Sequence, residues 1–551
     1  MKMLRLLIVC VLPCLFLITC AQQPVQQKTE KPNVLLIMID DLNDYEGTYG
    51  GHPQARTPHI DRLAESATVF TSGHTNTPVC TPSRNSMFSG VYSHNSRDFG
   101  WTPQVRHAVL KHNKTFIELF RENGYQTYGT GKLMHKNVPD YWDEWGVRER
   151  INYSPHAFDG ENPVGHPSVP EPFRSINFVD GSFAPLSDIP EFNGKQTGWT
   201  YGDKPFRYVN DDDRDPMPDE MHAQWITGTI AELEKRDEQQ PFFMGVGFVN
   251  PHTPLYAPQR FFDMFPLDEI ELPVIKENDA EDCFYTSVYP PSEMGLHYYQ
   301  ALKESYASDN EGLRLFLQAY LACIAFVDEQ IGIVMDALDN SEFSDNTIVI
   351  LVSDHGWQIG EKDYLYKNSP WEESTRIPYI IRVPGESKPG SEVDHPVSLI
   401  DIFPTLIDMC NLQGTTTKNN SAPTIDGYSL RPFLRDTEYD EWDGPDGALT
   451  VMGAGINTPI EGIGVNKNKG ALWHIEILQD LDDSYVMKQN YSYRTKDWRY
   501  IRYRNGKEEL YDHRTDPYEW NNLAGDTQHA KPLQDLRDQM MAIINKKRTT
   551  P

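Results

Sequence analysis

The segment Cys80-Thr81-Pro82-Ser83-Arg84 places a guanidinium one helical turn from a cysteine. Pro82 is tolerated in a first helical turn and Gly90 suits a helix end, so the spacing predicts a helix with Cys80 at its N-terminus. Free N–H groups at such an end carry partial positive charge, and a guanidinium adds a fork of donors matched to tetrahedral oxyanions. The pair is suited to hold an anion, although in isolation a buried cysteine beside a surface arginine is the better explanation. Asp40, Asp41 and Asp354 each follow an apolar run, and three carboxylates at neighbouring strand ends are costly without a cation among them. Hard oxygen donors favour calcium or magnesium over zinc. A single Asp-Asp pair is equally a helix cap; the recurrence of the pattern points to metal. Lys132, His135, His252 and Lys367 join Cys80 and Arg84 as sources of anion-binding charge, a nucleophile and proton carriers. Taken singly, Lys367 reads as a surface lysine, His135 as a helix-end residue and His252 as a turn residue between Pro251 and Pro254. Together they are harder to dismiss.

The elements that must carry these side chains are legible. Val34 to Ile39, Phe242 to Val249 and Thr347 to Ser353 are apolar runs of the length expected for strands buried on both faces, and a weaker run from Gly124 to Gly129 leads to Lys132 and His135. In a parallel sheet their carboxyl ends share one edge, where such folds place their sites. Crossover helices are expected over 57–67, 115–123, 221–236, 315–338 and 399–410, giving an α/β fold with a large parallel or mixed sheet. Residues 151–219 are rich in Pro, Gly and Asp, as expected of an irregular substrate-side insertion. Within them Asp211-Asp212-Asp213 reads as a solvated charge run rather than a cation site. After Pro423 the character changes: 498–503 alternates, Asn505-Gly506 is a hairpin turn, 509–512 returns, and a helix over 530–546 closes a smaller α+β unit. Arg499, Arg502 and Arg504 on this hairpin are expected to be strand-surface charges or part of a pocket wall.

A chain of 551 residues with a 39% apolar fraction is long enough for a large domain and a smaller one. Its formal charge of -30 excludes nucleic acid as the main partner, so an anionic substrate must be caught by a local basic pocket. Residues 1–20 start basic (Lys2, Arg5) and run apolar from Leu6 to Ile18, too short for a comfortable membrane span, and read as a signal peptide. Leu17-Ile18-Thr19-Cys20 resembles a bacterial lipobox, which makes Cys20 a lipid-bearing terminus and the chain an exported periplasmic or cell-surface lipoprotein; conventional cleavage and secretion is the alternative. Polar residues 21–31 form a linker. Beyond this segment Cys80, Cys283, Cys323 and Cys410 show no metal-ligand spacing, and Cys323 and Cys410 fall in apolar runs that suit a core.

These segments resemble the type I sulfatases. Cys80-Thr81-Pro82-Ser83-Arg84 matches the signature in which the cysteine is oxidised after translation to formylglycine (3-oxoalanine). Further agreement lies at Lys31-Pro32-Asn33-Val34, Asp40-Asp41, Thr57-Pro58-His59-Ile60-Asp61-Arg62-Leu63-Ala64, Gly131-Lys132-Leu133-Met134-His135, Pro251-His252-Thr253-Pro254 and Ser353-Asp354-His355-Gly356. Near the end, Glu509-Leu510-Tyr511-Asp512, Asp516-Pro517, Glu519 and Asn522-Leu523-Ala524 look like the family's closing segment, so the resemblance covers about 31–526. His355 directly after the metal Asp, with Lys367 downstream, is most similar to iduronate-2-sulfatases and related bacterial polysaccharide sulfatases.

The resemblance implies an alkaline-phosphatase-like sandwich with a large mixed, mainly parallel sheet flanked by helices over 32–422, and a smaller C-terminal α+β subdomain with an antiparallel sheet over 423–551. It implies that Cys80 becomes formylglycine through a formylglycine-generating or sulfatase-maturing enzyme, and that its hydrate attacks sulfur. Asp40, Asp41, Asp354, His355 and the modified Cys80 would surround one calcium ion. Arg84 and Lys132 would stabilise the nucleophile and the sulfate charge, and Lys367 would hold a sulfate oxygen near the breaking bond. His252 would protonate the departing sugar oxygen, and His135 would take the proton that lets the hydrate collapse. The implied substrate is a sulfated carbohydrate, either a marine algal glycan such as ulvan or a glycosaminoglycan with 2-sulfated uronates. Two departures stand out: histidine is soft for calcium, so His355 ligates or only braces, and Ser89-Gly90 replaces the more usual Thr-Gly. Phosphonate monoester or phosphodiester hydrolysis is the alternative chemistry, and a glycan-binding lipoprotein with lapsed catalysis the alternative class.

Overall fold

The strand Asn33–Ile39 is buried along its whole length and lies at the centre of an eight-stranded sheet. Val34, Leu36 and Met38 point to one face and pack with Phe88, Phe116, Phe120, Phe243 and Phe403. Leu35, Ile37 and Ile39 point to the other and pack with Ile60, Leu63, Ile226, Phe326 and Val327. Two covered faces are why the run is continuously apolar rather than alternating. The computed structural model describes residues 31–546 apart from 100–102, 108, 137, 148–152, 193, 202–203, 238–239 and 454–482. The expected signal segment and all of the linker but Lys31 lie outside the described residues; Pro32–Pro551 forms one compact unit.

The sheet runs in the order Ser391–Val393, Thr68–Phe70, Tyr379–Arg382, Thr347–Ser353, Asn33–Ile39, Phe242–Phe248, Gln126–Gly131, Glu144–Trp145. Only Tyr379–Arg382 runs against its neighbours, so the sheet is mixed and mainly parallel, as expected. Ile39 pairs with both Phe248 and Ser353, and Gly247 pairs with Gly131. The chain therefore leaves four adjacent strands at one edge, with Asp40, Val249, Lys132 and Asp354 next in sequence. Helices cover both faces: Pro58–Glu65, Pro218–Leu233 and Asp309–Asp339 on one, Cys80–Ser89, Phe116–Glu122 and Ile402–Cys410 on the other. Two begin earlier than expected, because Pro218 suits a first turn and Ser308 caps the Glu311 N–H at 3.3 Å. Cys323 and Cys410 are core residues.

In the insertion, the Asp211 carboxylate accepts the Gln259 and Arg260 N–H groups at 3.0 and 2.8 Å, and Asp213 pairs with Arg207. Two of the three run residues thus have local structural partners. Toward the C-terminus, Gly447–Met452, Asn490–Thr495, Trp498–Arg502 and Glu508–Asp512 form an antiparallel sheet with the helix Ala530–Ile544 against it. The hairpin turns at Gly506, whose φ of 82° suits glycine. Arg499 corrects the expectation of a surface or pocket charge. It is 1% exposed, ion-paired to Glu519 and Glu372, and donates to the Pro370 carbonyl at 3.0 Å and Ser492 Oγ at 2.7 Å. Both faces of its strand are buried: Tyr500 packs toward the terminal helix, Ile501 and Tyr503 toward the main core. Arg502 and Arg504 donate to the carbonyls of Met487 and Val288.

Candidate active site

The helix Cys80–Ser89 begins at the cysteine itself, after an extended Val79, and ends where Gly90 turns left-handed at φ 69°. Every residue of it is buried, which removes the usual polar face. Ser83 Oγ and Thr75 Oγ1 donate to the Asp354 carbonyl at 2.7 and 2.6 Å and tie the helix to the strand end. Arg84, wholly buried, spans the carboxylates: Nε donates to Asp354 Oδ2 and Nη2 to Asp40 Oδ1, each at 2.8 Å. Its Nη1 donates to the Lys132 and Leu133 carbonyls. The cysteine and arginine do share a face, and that face is inward.

Around Cys80 Sγ stand His355 Nε2 at 3.2 Å and Lys367 Nζ at 3.3 Å. Lys367 Nζ also donates to Asp41 Oδ1 and Oδ2 at 2.7 and 2.9 Å, and Lys132 Nζ donates to Asp40 Oδ2. His252 Nε2 lies 3.7 Å from Asp41 Oδ2. His135, half-buried three residues after Lys132, feels the charges of Lys132, Asp40 and Arg84. The structure thus brings all of Asp40, Asp41, Cys80, Arg84, Lys132, His135, His252, Asp354, His355 and Lys367 to one place; the Asp211–Asp213 run and the hairpin arginines have their partners elsewhere. Glycine is required where the strands converge. Gly131 has φ 76°, and a Cβ there would sit 2.0 Å from the Gly247 carbonyl oxygen, to which Lys132 N–H donates at 2.8 Å.

Other residues hold this set in place. Asp41 adopts φ 63°, a left-handed conformation that an aspartate tolerates better than most side chains. Tyr320 of the long helix donates to its carbonyl at 2.7 Å. The Asp219 carboxylate accepts Val249 and Asn250 N–H at 2.8 and 2.9 Å, fixing the turn before His252. Asp180 takes Thr253 Oγ1 at 2.6 Å and Tyr298 Oη at 2.9 Å on the other side of that turn. Trp357 and Tyr366 flank Lys367 Nζ at 5.4 and 5.5 Å. Sequence reasoning missed these supports. Trp357 and Tyr366 sit beside recognised motif residues and were within reach; Asp219 and Asp180 give no local signal.

Electrostatics decide what this cluster can hold. Burial alone would raise every carboxyl, but Lys132 and Arg84 hold Asp40 well below its ordinary range. Asp41 is pushed up by burial against the opposition of Lys367, and Asp354 reaches about 6 by burial against Arg84. Burial would lower the lysines, but Asp40 keeps Lys132 charged and Asp41 keeps Lys367 charged. Burial, reinforced by those lysines, holds His135, His252 and His355 neutral. Burial also raises the Cys80 thiol, so it is no thiolate.

His355 Nδ1 meets the Gly356 carbonyl at 3.1 Å, so its proton is there and Nε2 turns a lone pair toward Asp41 Oδ1 and Asp354 Oδ2, each 3.5 Å away. Lone pairs facing one another in a buried site call for a cation, and ligand atoms of Asp40, Cys80, Asp354 and His355 lie within 4.8 Å of one another. The donor set fits a divalent ion: Asp40 and Asp354 supply hard oxygens, and Asp41 stands 3.5 Å from His355 Nε2 with a third. Three buried cations, Arg84, Lys132 and Lys367, face at most three carboxylate charges, so a divalent ion leaves a positive pocket matched to an anion.

A mixed sheet with carboxylates, cations and a helix-terminal cysteine at one edge makes a site suited to hydrolysing an anionic ester. The sulfatase family profile matches residues 32–412, and the chain belongs to this family. It is 31% identical to a sulfatase of Formosa agariphila over 97% of this chain and 90% of that one. It is 26% identical to the iduronate 2-sulfatase of Mus musculus, covering 95% and 96%. An ulvan-active sulfatase of Formosa agariphila is 26% identical over 95% of this chain and 82% of that one. Among solved structures, the phosphonate monoester hydrolase of Agrobacterium radiobacter shares the fold at TM-score 0.65 and 21% identity, covering 93% and 95%.

Proposed function

We propose that this chain is a formylglycine-dependent sulfatase that removes sulfate from a sulfated polysaccharide or its oligosaccharides, a marine algal glycan such as ulvan or a glycosaminoglycan bearing 2-sulfated uronates. The observation that carries the reading is Cys80 Sγ set within 3.3 Å of both His355 Nε2 and Lys367 Nζ, amid buried carboxylates that would oppose a thiolate. Similarity to iduronate 2-sulfatase and to an ulvan-active sulfatase supports the substrate class. The 1–20 segment supports export as a periplasmic or cell-surface lipoprotein, with a maturing enzyme as partner.

Oxidised to formylglycine and hydrated by water, Cys80 would supply an oxygen nucleophile in place of a thiol, and calcium held by Asp40, Asp41, Asp354 and His355 would lower the pKa of that hydroxyl. Arg84 stays locked on Asp40 and Asp354 and keeps those ligands ionised. Lys132 and Lys367 face the charge that grows on the sulfuryl oxygens in a dry site. His252 is neutral when the pocket is empty because burial, Lys132 and Lys367 disfavour its charged form. An arriving anion offsets the lysines and lets the imidazole carry a proton to the leaving sugar oxygen, an effect worth about 10²–10⁴ in rate. His135 accepts the proton that regenerates the aldehyde.

Matured protein incubated with defined sulfated oligosaccharides, and separately with phosphonate monoesters, tests the reading by chromatography of the released anion. Sulfate release should be the faster reaction; faster phosphonate turnover, or no sulfate from any glycan, contradicts it. Calcium should stabilise the fold in a pH-dependent way. The metal-free fold holds the Asp354 proton up to about pH 6 against an ordinary 3.8, so that proton stabilises it at acid pH and is lost as pH rises through 6. Calcium competes with this proton and with that of Asp41, which burial also pushes up, so its benefit, about 2.7 kcal/mol at a hundredfold excess over Kd, is larger at neutral than at acid pH. It should shrink by about 1.4 kcal/mol per unit below 6. Thermal unfolding at pH 5 and 7.5, with calcium or chelator, measures this; an equal benefit at both values argues against these ligands.

A further inference from the structure

Tyr153 lies in the irregular insertion, half-buried, with Lys132 Nζ 4.7 Å above its ring and the His252 imidazole 5.1 Å away at an interplanar angle of 56°. It therefore touches at once the ammonium that faces the sulfuryl charge and the imidazole that meets the leaving oxygen. Lys132 is a point charge on a flexible stem, drawn by Asp40 toward the metal side of the pocket. The His252 ring is anchored along one edge, where Nδ1 meets the Thr253 carbonyl at 2.5 Å, while Nε2 stands 3.7 Å from Asp41, beyond hydrogen-bond reach. An aromatic face attracts a cation, and its flank restricts a neighbouring ring.

We propose that Tyr153 is a positioning residue for the reaction: its ring, rather than its hydroxyl, sets the distance between Lys132 Nζ and His252 Nε2 and so aligns the anion-binding cation with the proton donor. The inference rests on the sulfatase reading above. Among the described residues the geometry offers Tyr153 ring contacts and no hydrogen bond, so phenylalanine should serve as well as tyrosine and leucine should not. Misplacement of a reacting group by about 1 Å costs on the order of 10²-fold. The cost should be largest where the leaving group most needs a proton.

The test uses full-length matured protein, loaded with calcium, as wild type, Tyr153→Phe and Tyr153→Leu. Turnover is measured on the oligosaccharide that wild type desulfates and on aryl sulfates of graded leaving-group pKa, and inorganic sulfate binding is measured by calorimetry. Expected for Tyr153→Leu are a kcat about 10²-fold lower on the oligosaccharide, a smaller loss as the leaving group improves, and weaker sulfate binding. Tyr153→Phe should match wild type in all three. An equal loss for Phe and Leu, a Leu loss independent of leaving group with sulfate binding intact, or no loss at all overturns the proposal. If wild type neither releases nor binds sulfate, the sulfatase reading itself has failed, which the variants do not mimic.

Discussion

Cys80→Ala is expected to lower sulfate release by at least about 10⁴-fold with little change in stability. The substitution removes the one group that can become an oxygen nucleophile beside His355 Nε2 and Lys367 Nζ, while the surrounding ion pairs do not pass through it. Loss of a single buried sulfur costs about 1 kcal/mol, so the unfolding midpoint should barely move. Cys80→Ser is expected to be equally inactive, because a hydroxyl on Cβ is not an aldehyde. Sulfate chromatography beside urea unfolding separates the two effects. Near-wild-type turnover by the alanine variant would place the nucleophile elsewhere.

Arg84→Met is expected to damage both activity and fold. The guanidinium is wholly buried and satisfies Asp40, Asp354 and two backbone carbonyls, so its removal strands two carboxylates in a dry site. Breaking a buried pair this way costs about 3–5 kcal/mol. The loss should be larger in chelator than in calcium, since a divalent ion takes over part of the charge. Activity should fall by about 10³-fold, because the same carboxylates are the proposed ligands of the metal. Arg84→Lys should recover little: one ammonium does not bridge two carboxylates and two carbonyls in the geometry of a fork. Denaturant unfolding with and without calcium measures the first effect and sulfate release the second. Stability within about 1 kcal/mol of wild type would mean the pairs contribute nothing.

What the sequence revealed of this molecule follows from which signals are local. A strand buried on both faces writes itself as a continuous apolar run, and the residue after it is fixed at the sheet edge, so Asp40, Asp354 and the Asn250-Pro251-His252 turn were placed by pattern alone. The helix signal of Pro82 and Gly90 fixed Cys80 and Arg84 to one face. Alternation misled at Arg499, because a strand covered on both sides has no solvent face, and its partner Glu519 lies in a later turn while Glu372 comes from 127 residues earlier in the chain. Asp219, Asp180 and Tyr153 were silent for the same reason. Their value lies in a neighbour brought by tertiary packing, and no spacing in the chain announces it.

The central claim is that Cys80 acts after conversion to an aldehyde, and peptide mass spectrometry of the Cys80 tryptic fragment tests it most directly. Preparations co-expressed with increasing amounts of a maturing enzyme should show a rising fraction of that peptide with CH2SH replaced by CHO. Sulfate release per mole of protein should rise in proportion, through the origin. Full activity in a preparation whose Cys80 is entirely thiol would contradict the account.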